Sequence, residues 1–455
     1  MISFADRIRA VAGVPVDAKR PGAAELPAPL PSLCAPDVEA QLGGQWRAGC
    51  FIVERRWDRS SRHGSEEVGD VAKRFDRASN EAVLFAGGAP VRPPFVFFDL
   101  ETTGLSGGAG THVFLVGFGW FAEEAFVTRQ LLLTRFADER ALLETVSNAI
   151  GSAGALVSFN GKAFDAPLLE TRYLFHRQEW VGGRLPHVDV LHPARQFWKS
   201  CDSCSLTSLE EQVLGHRRAR DVSGFEIPAR YFHFVRTGDA RPLVAVFEHN
   251  RLDLLSLAAL TARLLHLAHC GPAAARDARE ALALGRIYFR AGFASRACEA
   301  FEEALHRSGA PSAAAALGWE RSGWERSGDV RVEALHALAL AFRRIGRFGQ
   351  AADCWRRLLD TPSCPDRVAR EAIEALAIHH EHRVRDLAAA RAFALKGLER
   401  AELEKRPAWS EAVRYRLARI ERKMGPRLNE PPQASLFSLW PPSSGSQTSA
   451  HRTFS

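Results

Sequence analysis

Three short stretches place acidic side chains where a cation could use them. In FVFFDLETTGL (95–105) Asp99 and Glu101 stand two residues apart after an apolar run. In NGKAFDAPLL, Asp165 follows Asn160 by five positions, and in HNRLD, His249 and Asp253 stand four apart. Residues two apart in a strand point to the same side, so Asp99 and Glu101 project together near a strand end. Two carboxylates on one face repel each other unless a cation lies between them. Mg²⁺ and Mn²⁺ prefer oxygen ligands and commonly share carboxylates with substrate phosphates. Each stretch alone has an ordinary reading: a solvent-facing pair beside a turn, a helix N-cap at Asp165, an exposed i,i+4 pair at 249 and 253. All three in this order, each at an element end or on a helix face, point to a cation site.

The elements that must position these groups follow from periodicity. FVFFDLE and HVFLVGFGWF read as strands, and a third strand-like run lies near Phe126–Leu133. The helix ADERALLETVSNAIG comes next, then the strand ALVSFNG and the helix DAPLLETRYLF. HVDVLHPARQFW begins as a strand, SLTSLEEQVLG is helical, and LVAVFEHNRLDLLSLAALTARLLHLA is a long helix. Strands in succession followed by strand–helix alternation predict a mixed central sheet flanked by helices over 95–267. Upstream, the Pro/Ala/Gly-rich residues 1–44 read as a mobile arm. Residues 45–94 read as an extension with one strand around Arg47–Arg55 and a linker ending at Pro94.

Composition bounds the rest. The chain has 455 residues, 46% hydrophobic and 25% charged, which predicts two or three globular domains. No run of about 18 uncharged apolar residues predicts a membrane span. The amino terminus lacks a secretory pattern, and eight cysteines without framework spacing suggest a reducing cytoplasm. Cys201 and Cys204 form a CxxC with no second pair nearby, too little for a zinc site. The net charge is +7, yet residues 95–267 carry 17 Lys+Arg against 19 Asp+Glu, so the excess positive charge lies in the flanks. The basic run His216-Arg217-Arg218-Ala219-Arg220 could contact phosphates, and reads at least as well as a solvated loop.

Residues 272–424 read as helices only. Two segments align with each other, matching Gly292 with Gly346, Ala297 with Ala351 and Phe301 with Trp355; a weaker third copy has Ala389 and Phe393. Helix pairs with small residues and an aromatic at fixed offsets resemble tetratricopeptide repeats, which implies a protein partner. The direct duplication GWERSGWERSGD reads as an expanded loop. Residues 425–455 read as a disordered tail. Within the tail, PPQASLFSLW carries Gln433, Leu436 and Phe437 in a QxxLF arrangement. It resembles the peptide by which bacterial DNA enzymes bind the sliding clamp, which would favour DNA over RNA.

DLETTGL, NGKAFD and HNRLD together resemble the three motifs of the DEDD superfamily of 3′–5′ exonucleases. GTHVFLVGFG, LVSFNGKAFDAPLL, HVDVLHPARQFWK and SCSLTSLEEQVLG bring the resemblance closer to the YprB-like ribonuclease-H-like proteins. The resemblance covers roughly 95–267, with the strand near residue 50 as a candidate addition. It implies an α/β ribonuclease-H-like fold, followed here by the all-α repeats. It implies Asp99, Glu101, Asp165 and Asp253 as ligands of two Mg²⁺ or Mn²⁺ ions and His249 as the base that deprotonates or orients the attacking water. Two cations about 3.5–4 Å apart offset phosphodiester charge, activate a water and stabilise the leaving oxygen. Thr102, Thr103 and Gly104 would offer groups to the terminal nucleotide, with Asn160 and Phe164 holding the strand being cut. One departure stands out: histidine-type members of the superfamily place the base five positions before the last aspartate, and here the interval is four. An inactive nuclease-fold scaffold acting through its repeats, and a structure-selective endonuclease, remain as alternative readings.

Overall fold

The computed structural model describes residues 35–104, 110–199, 201, 203–308, 327–362 and 364–425. The chain divides into two compact units, Met1–His269 and Cys270–Ser455.

In the first unit a seven-stranded mixed sheet runs in the order β1-β2-β7-β6-β5-β8-β9. Its strands are β1 (Gln45–Arg47), β2 (Cys50–Trp57), β5 (Phe95–Thr102), β6 (Val113–Ala122), β7 (Ala125–Leu132), β8 (Ala155–Ser158) and β9 (His187–Asp189). A separate hairpin joins β3 (Arg62–His63) to β4 (Glu66–Glu67). β5 lies between antiparallel β6 and parallel β8, so it is buried on both faces, as its continuous apolar run requires. Phe97 and Phe98 are fully enclosed, each contributing about 1.5–3 kcal/mol by its burial. They fix the strand from which Asp99 and Glu101 emerge. Register shifts between Glu101 and Thr102, where the ladder ends in a bulge and the chain turns away.

The sheet reaches further toward the amino terminus than periodicity suggests. β2 pairs with β7 over seven positions, so residues read as an extension form part of the sheet itself. The helix Ala35–Leu42 covers the last residues read as a mobile arm, with Val38 fully buried in the core. The helix Leu243–Cys270 is long and apolar enough to cross a membrane by length and composition, but 78% of its most apolar window is buried inside the protein.

The second unit is helical. Ala278–Arg290 pairs with Ala294–Ser308, and Ser327–Arg344 with Phe348–Leu359; Asp366–His379, Leu387–Leu403 and Pro407–Met424 follow. Gly292 and Gly346 turn the first two pairs with positive φ (88° and 78°), a conformation that favours glycine. Ala297, Phe301, Ala351 and Trp355 are all buried, and Phe301 packs where any side chain at Gly285 would stand. The third copy differs from the sequence reading. Its buried pair is Ala390 and Ala394, one residue after Ala389 and Phe393. The cause is a π-helical turn at His380–Val384, whose wider winding takes up an extra residue before the next helix begins.

Candidate active site

Asp99, at the carboxyl half of β5, faces a row of residues that runs across the sheet. Its partner on β6 is Gly117, whose partner on β7 is Gln130. Asn250, from the helix Leu243–Cys270, lies over this row. Its Nδ2 donates to Asp99 Oδ2 at 2.8 Å, and its Oδ1 accepts from Gln130 Nε2 at 2.9 Å. Gly117 makes the approach possible, because a Cβ there would stand 2.1 Å from Asn250 Oδ1. Gly117→Ala is therefore expected to destabilise the first unit by about 1–3 kcal/mol through overpacking. Thermal unfolding checks this, and an unchanged melting curve would remove Asn250 from its assigned place.

Asp165 is the first residue of the helix Asp165–Phe175, which follows β8. β8 runs parallel to β5, so both strands deliver their carboxyl ends to the same edge. The intervening loop is held by Asp189, a buried carboxylate at the end of β9. It accepts from the backbone amides of Asn160 (2.8 Å), Lys162 (3.1 Å) and Leu191 (3.1 Å). Asn160 sits at φ +66°, so its backbone, with its amide on Asp189, shapes the loop. Gly161 leaves room for Ser158 and for Asp165 Oδ2, which lies 2.9 Å from where its Cβ would be.

His249 and Asp253 share one face of the helix Leu243–Cys270, with His249 Nε2 3.4 Å from Asp253 Oδ2. The Nδ1 of His249 lies 2.6 Å from Asp221 Oδ1 and 3.2 Å from Arg218 Nη1, so an acceptor and a donor meet at the same ring nitrogen. Asp221 was not foreseen; a single acid in a loop carries no periodic signal. Arg218 departs from both readings of the basic run, as a solvated loop and as a phosphate contact. Arg217 and Arg220 are exposed, but the Arg218 side chain is only 5% exposed. Its guanidinium donates to Glu210 Oε2 at 2.7–2.8 Å, to Asp253 Oδ1 at 2.5 Å and to Asp221 Oδ2 at 3.2 Å.

The predicted acids form one electrostatic group. Burial, then the charges of Asp253, Glu101 and Asp165, raise Asp99 well above the ordinary carboxylate range, against the hydrogen bond from Asn250. Burial and the charges of Asp253, Asp165 and Asp221 do the same to Glu101. Asp165 is pushed up to about 7 by burial and by Asp189. Oxygen donors whose charges oppose one another in an enclosed site suit a hard divalent cation. Arg218 occupies one oxygen of Asp253, while the other faces His249. A cavity of about 650 Å³, lined by Phe75, Phe95, Trp120 and Arg129, lies at the opposite end of β5 and contains none of these carboxylates.

The remaining predicted residues divide by exposure. Thr102 Oγ1 donates to the carbonyl of Gly104 at 2.8 Å, and Thr103 Oγ1 accepts from the amide of His112 at 2.9 Å, so both hydroxyls serve the turn. Phe164 precedes the Asp165 helix and is 61% exposed. Gln433, Leu436 and Phe437 lie outside the described residues, as does nearly all of the predicted tail.

A mixed sheet whose central strand carries acids to an edge shared with the next parallel strand is a ribonuclease-H-like arrangement. The RNase_H_2 family of the RNase_H superfamily matches residues 96–265. Over 387 residues the chain is 30% identical to "Uncharacterized protein YprB" of Bacillus subtilis (strain 168), covering 82% of this chain and 86% of that protein. The chain belongs to the YprB family. Among solved structures, the family B DNA polymerase of Pyrobaculum calidifontis aligns at 14% identity and a TM-score of 0.32, over 65% of this chain and 46% of the polymerase chain. The chain thus spans less than half the length of that polymerase.

Proposed function

We propose that the chain is a DEDD-type, metal-dependent 3′–5′ exonuclease acting on nucleic acid in the cytoplasm, with DNA slightly preferred over RNA. The observation that carries this reading is the convergence of Asp99, Glu101, Asp165 and Asp253 from three separate stretches into one group of mutually opposed charges. These four residues would hold two Mg²⁺ or Mn²⁺ ions. When bound, such ions neutralise phosphodiester charge, lower the pKa of a water and stabilise the leaving oxygen. The protein's own side chains supply the rest. Asn250 and Gln130 fix the orientation of the Asp99 carboxylate. Asp221 at Nδ1 and Asp253 at Nε2 hold His249 beside the acid group, where it would act as the base toward the attacking water. Asp189 fixes the loop that carries Asn160 and leads to Asp165.

Phe164, exposed beside Asp165, offers a face on which a terminal base can stack. Phe164→Ala is expected to weaken single-stranded substrate binding by about 1–3 kcal/mol while leaving metal affinity unchanged. Fluorescence anisotropy with a labelled oligonucleotide measures the first, and Mn²⁺ titration the second. The helical repeats would recruit a protein partner, and the QxxLF segment at Gln433, Leu436 and Phe437 would engage the sliding clamp. End-labelled single-stranded DNA and RNA, incubated with Mg²⁺ or Mn²⁺, test the activity: mononucleotides support an exonuclease, longer fragments an endonuclease.

A second reading, an inactive nuclease-fold scaffold, is favoured by one observation. Arg218 already neutralises Asp253, so the last acid has a cationic partner without any metal. Calorimetric titration of Mn²⁺ separates the two, since a degenerate site would show no binding that depends on Asp253.

A further inference from the structure

Behind Arg218 lies a second cluster with different donor chemistry. Glu210 is 1% exposed and presents its two carboxylate oxygens in opposite roles. Oε2 receives the Arg218 guanidinium. Oε1 is buried, has no hydrogen-bond partner and lies 3.6 Å from His63 Nε2 and 3.5 Å from His216 Nε2. A buried carboxylate oxygen set between two imidazole nitrogens is a donor set suited to a cation.

The three donors stand on backbone that cannot easily move. His63 ends β3, whose hairpin docks on the end of the π-helical turn Glu210–Leu214. Ser65 donates to the Leu214 carbonyl through its amide at 2.8 Å and its hydroxyl at 3.0 Å. Gly64, at φ +62°, passes so close that a Cβ would meet the same carbonyl oxygen at 2.2 Å. Gly215, in the left-handed conformation, then returns His216 toward Glu210. The π turn matters here, because its extra residue sets Glu210 and His216 on the same side.

We infer that His63, Glu210 and His216 form a binding site for one divalent cation of the zinc class, separate from the all-oxygen acid group. The donor atoms lie within 4.8 Å of one another. The nitrogen-to-oxygen separations of 3.5 and 3.6 Å match the edges, about 3.3–3.6 Å, of a tetrahedron built on metal–ligand bonds of about 2.0–2.2 Å. Imidazole nitrogen with one carboxylate selects zinc-like cations over Mg²⁺. The Ser256 hydroxyl, 2.7 Å from His63 Nε2 and also paired with the Glu210 carboxylate, engages these donors in the metal-free protein, and a bound cation would take its place. Because Glu210 and Asp253 share Arg218, a cation here also fixes the guanidinium that borders the acid group. The site does not depend on the exonuclease reading.

The test uses the full chain carrying Asp99→Ala and Asp165→Ala, which disables the acid group, stripped with a chelator and titrated with Zn²⁺ and Co²⁺. One equivalent is expected to bind with Kd of about 1 µM or tighter, with a tetrahedral Co²⁺ visible band and no competition from Mg²⁺. His63→Gln and His216→Gln should each weaken binding by roughly 100-fold or more. Absence of uptake below about 0.1 mM, or unchanged affinity in both histidine variants, overturns the site. If a variant does not fold, X-ray absorption of the zinc-loaded parent reads the ligands directly. Two imidazoles with light oxygen donors support the assignment; a sulfur-containing or all-oxygen shell rejects it.

Discussion

Asp99→Ala is expected to lower metal-dependent phosphodiester hydrolysis by roughly 10³-fold or more, against the about 10–100-fold typical of groups that only support a ligand. The reasoning starts from position. Asp99 is the acid whose charge is opposed by each of Asp253, Glu101 and Asp165, so it lies where a cation would gain most from the whole set. It is also the acid with a dedicated orienting partner, Asn250, itself braced by Gln130 across the sheet. The loss should not come from unfolding. Removing a buried carboxylate that its neighbours oppose relieves repulsion, so the metal-free variant should be at least as stable as the parent. Rates from end-labelled substrate, measured beside thermal unfolding of the same preparation, check both halves. Metal-dependent activity within tenfold of the parent would remove Asp99 from the chemistry.

Legibility from sequence divided along a physical line. The acids, and the elements that carry them, were readable because each lies within a few residues of a local signal: the apolar run before Asp99, the helix start at Asp165, the i,i+4 spacing at His249 and Asp253. What depends on register was not. Asn250 acts on Asp99 because Gly117 and Gln130 lie beside that residue on neighbouring strands, and no local pattern states the pairing. β2 joined the sheet through β7, as the Glu54–Arg129 contact across 75 residues shows. Arg218 lies in a basic run that reads as surface, and its burial depends on Glu210, Asp221 and Asp253 closing around it. The buried alanines after His380–Val384 fall one residue later than the sequence alignment places them, because a π turn leaves no periodic mark in so short a segment.

The second large effect concerns stability and pH in the metal-free protein. The folded state raises Asp165 from an ordinary 3.8 to about 7, and raises Asp99 and Glu101 as well. A carboxyl with a higher pKa folded than unfolded binds its proton more tightly in the native state. Its favourable contribution is complete below the unfolded value near pH 4 and is lost as pH rises through the folded value. Chelated protein should therefore lose stability from about pH 4 to about pH 7 and beyond, by an amount on the order of 2–4 kcal/mol. Other groups titrate in the same range, so the informative quantity is a difference. The Asp99→Asn, Asp165→Asn double variant should show a visibly shallower fall than the parent. Mn²⁺ at about 100 times its Kd should return roughly 2.7 kcal/mol to the parent at pH 7.5 and nearly nothing to the variant. The two units need not unfold together, so the transition followed should be that of the sheet-containing unit. Parallel pH profiles for parent and variant would show that these carboxylates are not held against one another, and the case for a cation between them would fall with that result.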